Sequence, residues 1–309
     1  MTEQINTSLS REEITSATVM AENIRFRVFE HVMANNGGYL SQACSASELL
    51  ATLYTVANLA PLATPKVPEP FTQVPGKGAA YLNGGDFHGE VGPDRDRIVV
   101  SPAHYALVVY AALIETGRLE ASALDQFNQD GSTVEMIGAE HSPGFESTTG
   151  SLAQALSTAG GIALGRRLKG ETGKVYVFMS DGEFQEGQTW EALQALAFHN
   201  LDNVRVIVDV NRGQCDGPMS EVMNIEPLSL RIRAFGCSVD SVQGHDISTL
   251  ATALTRPTGK PHFVLAYTDP VRGVPVLNER APNLHYLRFT GEEERQRYAD
   301  AFAQMEVSR

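Results

Sequence analysis

The chain has 309 residues, 42% of them hydrophobic, which is enough for the buried core of an α/β domain. Its formal net charge of −13 and its scattered lysines and arginines argue against a nucleic-acid groove or an anionic membrane surface, since both need clustered positive charge. No apolar run approaches the roughly 18 residues of a membrane span, and the N-terminus lacks a basic and apolar leader, so a soluble, untargeted protein is expected.

The cysteines, Cys44, Cys215 and Cys237, are odd in number and lack the spacing of a metal site. This usage predicts free thiols in a reducing cytosol. Cys215 lies close to a polar stretch at Asn211 and could be reactive, but a packed, inert thiol is the favoured interpretation.

The N-terminal part of the chain predicts two helices and an irregular excursion. Residues 1–10 are polar and are expected to be mobile, and helical apolar spacing then runs over residues 11–35, with Ser10 as the N-cap. A glycine-rich turn leads into a second predicted helix at residues 45–59. Residues 61–92 are rich in proline and glycine without a clear period, which predicts a long surface excursion.

The rest of the chain alternates between short apolar runs and helical patterns, as expected for an α/β protein. We assign residues 11–309 to one such domain. The predicted strands are residues 93–101, 175–179, 204–210, 237–242 and 261–268. The predicted helices are residues 103–116, 152–168, 226–235, 247–254 and 292–305, with one more between the strands at 175–179 and 204–210.

Polar oxygen ligands directly follow two of these strands. Asp181 comes after the run at residues 175–179, and Asn211 comes after the run at 204–210. Strand, helix and strand in this order predict a doubly wound, mostly parallel sheet with helices on both faces, which binds ligands at the carboxyl ends of its strands. Carboxylate and amide oxygens suit Mg²⁺ better than zinc or copper. An Asp-Gly pair alone would indicate no more than a turn.

The sequences around these two residues are more specific. SDGEFQEGQTWEA and DVNRGQCDGP resemble the thiamine-diphosphate motif of the transketolase family, and the resemblance extends over nearly the whole chain. It implies the thiamine-diphosphate-binding fold, and within it the diphosphate-binding domain. It also implies that Asp181, the side-chain oxygen of Asn211 and the backbone carbonyl of Gly213 hold Mg²⁺ or Ca²⁺ for the cofactor.

The same motif assigns two further residues to the cofactor. Gly182 and Glu183 belong to its cofactor-binding residues, and the glycine lets the backbone approach the diphosphate closely. Ser180 stands where the family usually has glycine. Serine is small, so we expect the turn to form.

Three other segments resemble family loops that line the cofactor and the substrate channel. Tyr39 stands where the family commonly has histidine; tyrosine can donate a hydrogen bond, but it cannot carry a proton near neutral pH. It could equally be a tyrosine packed at a helix junction. The stretch GPDRDRIVVSPAHYALVVYAAL aligns His104 with a family histidine near the diphosphate and the substrate. PGFESTTGSL matches a family loop that offers backbone N–H groups to the cofactor, here from Gly150, Ser151 and Leu152.

The resemblance also implies catalytic roles for His104 and for two more histidines of the substrate channel. His285 would be the last site histidine, and His141 would be a second family histidine in a shortened segment. Glu186 and Glu191 would meet their symmetry mates across a dimer and share protons between two active sites; otherwise they are solvated acids at a helix start. The small residues of the helix at 152–168 suit close packing in such a dimer.

The resemblance covers about the first half of a full-length transketolase. The second half supplies the pyrimidine-binding and C-terminal domains and the glutamate that activates the cofactor, so the chain is expected to be one subunit of a split enzyme, as an α₂β₂ assembly. The implied reaction moves a two-carbon ketol unit between ketose and aldose, which could be sugar phosphates. The alternatives are decarboxylation of a 2-oxo acid with acyl or aldehyde transfer, as in deoxyxylulose-phosphate synthases and pyruvate dehydrogenase E1, and a non-catalytic subunit that lost the cofactor.

Overall fold

The computed structural model describes residues 9–71 and 81–307. The mobility expected at residues 1–10 therefore falls mostly outside the described residues, as does the middle of the excursion at 61–92. In its described part the excursion is irregular, apart from a 3₁₀ helix at Gly84–His88 and one bridge between Lys66 and Leu119.

Helices and strands alternate along the chain. The strands are β1 (Gly37–Gly38), β2 (Arg97–Val100), β3 (Val175–Ser180), β4 (Val204–Val210), β5 (Gly213–Gln214), β6 (Gly217–Pro218), β7 (Ser238–Gln243), β8 (His262–Tyr267) and β9 (Leu287–Arg288). The α-helices are α1 (Arg11–Ala34), α2 (Leu40–Val56), α3 (Ala106–Glu115), α4 (Gln154–Leu168), α5 (Gly187–Phe198), α6 (Met219–Val222), α7 (Leu228–Ala234), α8 (Ile247–Thr255) and α9 (Glu292–Val307). Further 3₁₀ helices lie at Ala103–Tyr105, Ala121–Gln126, Asp181–Gln185 and Pro275–Arg280. None of the described helices is long and apolar enough to cross a membrane.

The central sheet is parallel and has the strand order β2-β3-β4-β8-β7. Side chains of β3 alternate between its two faces. Tyr176 and Phe178 join the core beneath α1, α2, α3, α8 and α9, whereas Val177 and Met179 join the core beneath α4, α5 and α7. Because helices cover both faces, the strands can be apolar throughout, and every residue of β3 is buried. The predicted α/β sheet with helices on both faces is confirmed.

The register between β3 and β4 sets the position of the residues that follow them. Ser180 pairs with Asp209 at the carboxyl ends of the two strands. The chain leaves β3 at Asp181 and leaves β4 at Asn211. These two side chains therefore lie at the same edge of the sheet.

Helix α1 begins where the sequence predicted. The Ser10 hydroxyl accepts the N–H of Glu13 at 3.2 Å, and the Glu13 carboxylate accepts the N–H of Ser10 at 2.7 Å. This reciprocal capping satisfies N–H groups that a helix start otherwise leaves free.

Helix α2 differs from its prediction, because it begins at Leu40 rather than at residue 45 and ends at Val56 rather than at residue 59. Every residue from 40 to 54 is buried, so burial and not a capping side chain holds the first turn. Ser45 lies within the helix, and its hydroxyl donates to Asp209. The earlier start makes Tyr39 the N-cap residue.

The small residues of α4 lie partly in the chain's own core and partly along a groove on its surface. Ala155, Ala159 and Ala163 pack in the core beneath the sheet. Gly160 and Gly161 line a groove of about 300 Å³ between α4 and α5. The predicted packing of α4 against a second copy stays a prediction.

Candidate active site

A cavity of about 430 Å³ opens at the carboxyl ends of β3 and β4. The predicted site residues that line it are Tyr39, His104, Gly150, Leu152, Asp181, Gly182, Glu186, Asn211, Gly213 and His285. A larger cavity of about 670 Å³ lies beside α1 and α8, but its lining includes the Arg25–Glu48 ion pair and none of the predicted site residues. The chemistry of the lining, not the volume, identifies the smaller cavity as the candidate site.

Asp181 is a buried carboxylate without a positive partner. It is 1% exposed, and its Oδ2 accepts the backbone N–H of Arg212 at 2.8 Å. Among the described residues it forms no ion pair with lysine, arginine or histidine. Burial and the nearby Asp209 raise the pKa of Asp181 to about 8. A divalent cation would offset both causes, because it supplies positive charge that the surrounding side chains do not.

Asn211 presents its amide in a defined orientation. Its Nδ2 donates to the Tyr105 hydroxyl at 3.1 Å and to Asp209 Oδ2 at 3.2 Å. Its Oδ1 accepts the N–H of Gly213 at 2.9 Å. The nitrogen is therefore turned into the protein and the oxygen toward the loop that lines the cavity.

The possible cation ligands at this cavity are mixed oxygen donors. In the part of the chain that the structure describes, no three His, Cys, Asp or Glu side chains group as a metal site would require. A cation here would depend on the Asp181 carboxylate together with the amide oxygen of Asn211 and backbone carbonyls such as that of Gly213. Such a set suits Mg²⁺ or Ca²⁺ and not zinc.

Glu183 holds the turn after β3 from behind. Its carboxylate accepts the N–H of Ser180 at 2.8 Å, the N–H of Ala153 at 3.0 Å and the hydroxyl of Ser101. Glu183 is fully buried and does not line the cavity. Its carboxylate therefore supports the turn from inside the protein, and the predicted role of Glu183 in cofactor binding stays a prediction.

The turn forms with serine at its first position. Ser180 has φ −101° and ψ 157°, an extended conformation that any residue adopts, so glycine is not required there. At Gly182, which lines the cavity, an added Cβ would meet no atom within 4 Å. A side chain at Gly182 would therefore take up free space at the wall of the cavity, which fits a role in close ligand approach.

Tyr39, His104 and His285 converge from three distant segments. The ring centroids are 5.7 Å apart for Tyr39 and His104, 5.6 Å for Tyr39 and His285, and 5.1 Å for the two histidines. Burial lowers the pKa of both histidines, and the neighbouring His285 helps to lower the pKa of His104 to about 3. Both imidazoles are thus neutral at neutral pH, and each can donate one hydrogen bond and accept another.

His141 lies apart from this histidine pair. Its ring stacks on Phe71 at 4.5 Å, and its Nε2 is 3.0 Å from a Glu135 carboxylate oxygen. It lines a different cavity, beside the excursion. Backbone hydrogen bonds hold the neighbouring segment against that excursion, from Gly84 to Glu140 at 2.7 Å and from Gly144 to Gly84 at 2.8 Å. The sequence prediction of His141 as a catalytic residue of the substrate channel is not supported by this placement.

Two other predicted residues, Glu191 and Ser151, also lie outside the cavity. Glu191 is exposed and lines the groove between α4 and α5, whereas Glu186 is exposed at the mouth of the cavity itself. Ser151 is exposed between two residues that line the cavity.

The cavity also contains residues that the sequence analysis missed. Gln42 donates from Nε2 to the backbone carbonyl of His285 at 3.1 Å, a contact that depends on the earlier start of α2. Tyr105, Gln185 and Asp216 line the cavity as well. The available signals in the sequence were the position of Tyr105 directly after His104 and the places of Gln185 and Asp216 within the two motif stretches.

The favoured interpretation of Cys215 as a packed thiol was wrong. Cys215 is exposed and lines the cavity, whereas Cys44 and Cys237 are buried. Cys215 belongs to the short loop between β5 and β6, which lies over the cavity and offers no core in which a thiol could pack.

Comparison with known proteins gives one consistent family. Residues 88–281 match the family described as transketolase, thiamine diphosphate binding domain. The transketolase family protein y4mO of Sinorhizobium fredii is 40% identical over 204 residues, which cover 64% of this chain and 73% of that protein. An apulose-4-phosphate transketolase subunit of Actinobacillus succinogenes is 34% identical over 206 residues, 66% of this chain and 74% of that protein.

Solved structures give the same fold. The transketolase of Campylobacter jejuni superimposes with a TM-score of 0.68 at 23% identity, and the match covers 96% of this chain but 47% of that one. This chain therefore spans about half the length of that transketolase.

Proposed function

Because this chain belongs to the transketolase family, we propose that it is the diphosphate-binding subunit of a two-component transketolase that uses thiamine diphosphate. The observation that carries the proposal is the meeting of Asp181 and Asn211 at the ends of two adjacent parallel strands. Asp181 is buried there without a positive partner among the described residues, which fits a cation that arrives with a ligand.

The residues of the cavity fit an anionic cofactor bound through a cation. The chain has a net charge of −13, and the described lining of the cavity contains no lysine or arginine. A diphosphate could therefore not be neutralised by side chains of this cavity. Mg²⁺ or Ca²⁺ held by Asp181, Asn211 and Gly213 would neutralise it, with Mg²⁺ the better fit for a diphosphate.

Each group of residues has a proposed task. Bound thiamine diphosphate would supply a carbon nucleophile for the carbonyl of a substrate. Gly182 would leave room for the diphosphate, and Gly150 and Leu152 border it from the loop before α4. The neutral His104 and His285 would donate hydrogen bonds to diphosphate or substrate oxygens. Burial raises the pKa of Tyr39, so its hydroxyl would keep its proton and act only through hydrogen bonds.

A second subunit is the proposed partner. Relatives named as transketolase subunits, from Actinobacillus succinogenes and from a Clostridium species, match this chain at 34% and 35% identity. We propose that the other chain brings the pyrimidine-binding and C-terminal domains and completes the open side of the cavity in an α₂β₂ assembly. The groove between α4 and α5 would face a second copy of this chain, which would bury Glu186 and Glu191 for the predicted proton relay. The free thiols support a place in a reducing cytosol.

The names of these relatives favour ketol transfer over the alternatives. One relative is a transketolase subunit for apulose-4-phosphate and another is one for 6-deoxy-6-sulfo-D-fructose. We therefore propose a sugar donor and acceptor and rank 2-oxo acid decarboxylation second. The retained oxygen donors Asp181 and Asn211 speak against a subunit that lost the cofactor.

Calorimetric titration of thiamine diphosphate into the full chain, alone and with its co-purified second subunit, tests this proposal. We expect saturable binding that requires Mg²⁺ in the complex. Asp181→Asn should abolish this Mg²⁺-dependent binding without lowering the melting temperature, since without a cation Asp181 has no positive partner to lose. Asp202→Asn, in the exposed loop before β4, is the matched control and should bind like the wild type. A folded wild-type complex that binds no thiamine diphosphate would put the non-catalytic interpretation first.

A further inference from the structure

Tyr105 lies beside the proposed cation ligands without being one of them. It is 2% exposed, and its ring packs against those of His104 at 4.9 Å and Phe178 at 5.2 Å. Its hydroxyl lies 2.8 Å from Asp209 Oδ2 and 3.1 Å from Asn211 Nδ2. The ring thus packs in the core, while the hydroxyl stands between a carboxylate and an amide.

The donors around Asp209 determine the direction of these hydrogen bonds. Asp209 is fully buried, and it accepts the hydroxyls of Ser45 and Thr268, each at 2.5 Å, in addition to that of Tyr105. Because the Tyr105 proton is directed to Asp209, the lone pairs of the phenol oxygen remain to accept the N–H of Asn211. The amide nitrogen of Asn211 therefore meets two acceptors, Tyr105 and Asp209.

We propose that Tyr105 is a positioning residue, whose hydroxyl fixes the Asn211 amide with its nitrogen inward and its oxygen toward the cation. A 180° rotation of the Asn211 amide group would bring its oxygen against the oxygens of Tyr105 and Asp209. The Tyr105 hydroxyl already donates to Asp209, so the rotated amide oxygen would have no donor there. Asn211 Oδ1 already faces the loop after β4, where it accepts the N–H of Gly213 at 2.9 Å. This inference rests on the proposed function, because it concerns the cation that would hold the cofactor.

The role of the hydroxyl can be separated from that of the ring. Tyr105→Phe keeps the packing against His104 and Phe178 but removes one of the two acceptors that hold the Asn211 nitrogen. The wrong orientation of the amide then becomes more populated, and the cation meets an N–H₂ group in that fraction of molecules. Loss of an outer hydrogen-bond partner typically weakens metal affinity by about tenfold or more.

Tyr110 on α3 provides a matched control. It is also fully buried, and its hydroxyl donates to the backbone carbonyl of Glu135 at 2.9 Å, away from the cavity. Tyr110→Phe therefore deletes the same chemical group and a comparable hydrogen bond. Thermal melts of both variants show whether their losses of stability match.

The test measures thiamine diphosphate binding by calorimetry as Mg²⁺ is varied, with the full chain in its complex. We expect Tyr105→Phe to raise the Mg²⁺ concentration needed for half-maximal binding by about tenfold, and saturating Mg²⁺ to restore wild-type binding. Tyr110→Phe should require the same Mg²⁺ concentration as the wild type.

Three outcomes would overturn the proposal. If Tyr105→Phe and the wild type need the same Mg²⁺ concentration, Tyr105 does not position Asn211, while the proposed function stands. If saturating Mg²⁺ fails to restore binding, or if Tyr110→Phe shows an equal shift, the effect is a general distortion. If the wild type binds thiamine diphosphate without Mg²⁺ or not at all, both this inference and the proposed cation site are wrong.

Discussion

The carboxylate of Glu183 accepts the backbone N–H of Ala153 at 3.0 Å and so joins the turn after β3 to the start of α4. Ala153 has a φ of 70°, a left-handed conformation that is uncommon for a residue other than glycine. The hydrogen bond satisfies an N–H group that would otherwise be buried without a partner. Two separate walls of the cavity, at Asp181 and at Leu152, are thereby held in one arrangement.

Glu183→Gln is expected to destabilise the protein. A glutamine at this position has one acceptor oxygen, and its N–H₂ group would face the backbone N–H of Ser180 or that of Ala153. We expect the free energy of unfolding to fall by about 2–3 kcal/mol, the cost of buried donors left unpaired. Urea denaturation measures this change, with Glu30→Gln on the exposed face of α1 as the control. Equal stability of the two variants would contradict the role assigned to Glu183.

Ser180→Gly is expected to lower stability without improving cofactor binding. The Ser180 hydroxyl lies 3.2 Å from the Glu183 carboxylate, and the backbone of Ser180 is extended. The glycine variant would lose that hydrogen bond, and its unfolded chain would have more conformational entropy. Together these effects should lower the free energy of unfolding by about 1 kcal/mol. Ser180→Ala separates the two effects, because it loses the hydroxyl alone. Tighter thiamine diphosphate binding by the glycine variant would show that serine hinders the turn.

His104 should make the stability of the chain depend on pH. Its pKa is about 3 in the folded chain, against 6.5 for an unperturbed histidine. Between these values the unfolded chain takes up a proton that the folded chain does not. The free energy of unfolding therefore falls as the pH falls from about 6.5 toward 3, by up to about 1.4 kcal/mol per pH unit from this group.

The variant His104→Gln tests that dependence. Urea denaturation at pH 7 and pH 5 should show a smaller loss of stability in this variant than in the wild type. His199→Gln, at the exposed end of α5, should lose as much as the wild type. An unchanged pH dependence in His104→Gln would mean that His104 accepts a proton in the folded chain as readily as in the unfolded one.

Alkylation by iodoacetamide should modify Cys215 alone in the native chain. Cys215 is exposed, whereas burial raises the pKa of Cys44 and of Cys237 to about 12 in each case. The thiolate is the reactive form, so the two buried thiols should not react at neutral pH. Mass spectrometry locates the label, and Cys215→Ser should remove it. Thiamine diphosphate with Mg²⁺ should slow the labelling, because Cys215 lines the cavity; labelling of Cys44 in the folded chain would contradict its burial.

The parts of the site that follow from local pattern were predictable from the sequence. The run at residues 204–210 is the strand β4 without change, and Asp181 and Asn211 follow from the rule that parallel strands end at one edge of a sheet. The resemblance to family loops located His104 and His285, and in the structure their ring centroids are 5.1 Å apart.

The remainder depends on contacts between distant segments. Gln42 meets His285 across 243 positions of sequence, and Ser45 meets Asp209 across 164. No local period in the sequence indicates such a pairing. The start of α2 was also not predicted, because burial and not a capping side chain stabilises its first turn. His141 is a different case, since the resemblance implied a place in the substrate channel and the structure puts its side chain beside the excursion. A charged residue within the apolar strand, Asp209, was a visible signal that was not used.

The buried charge of Asp209 also affects the chain before it folds. Strand β4 reads Val-Arg-Val-Ile-Val-Asp-Val, and only Arg205 and Asp209 interrupt its apolar, β-branched side chains. Segments of this length without a charge readily stack with copies of themselves into intermolecular sheets. A parallel, in-register stack would place each Arg205 against another arginine and each Asp209 against another aspartate, which is electrostatically unfavourable. The carboxylate that accepts hydrogen bonds beside the cavity in the folded protein therefore also disfavours parallel stacking of this strand in the newly made chain.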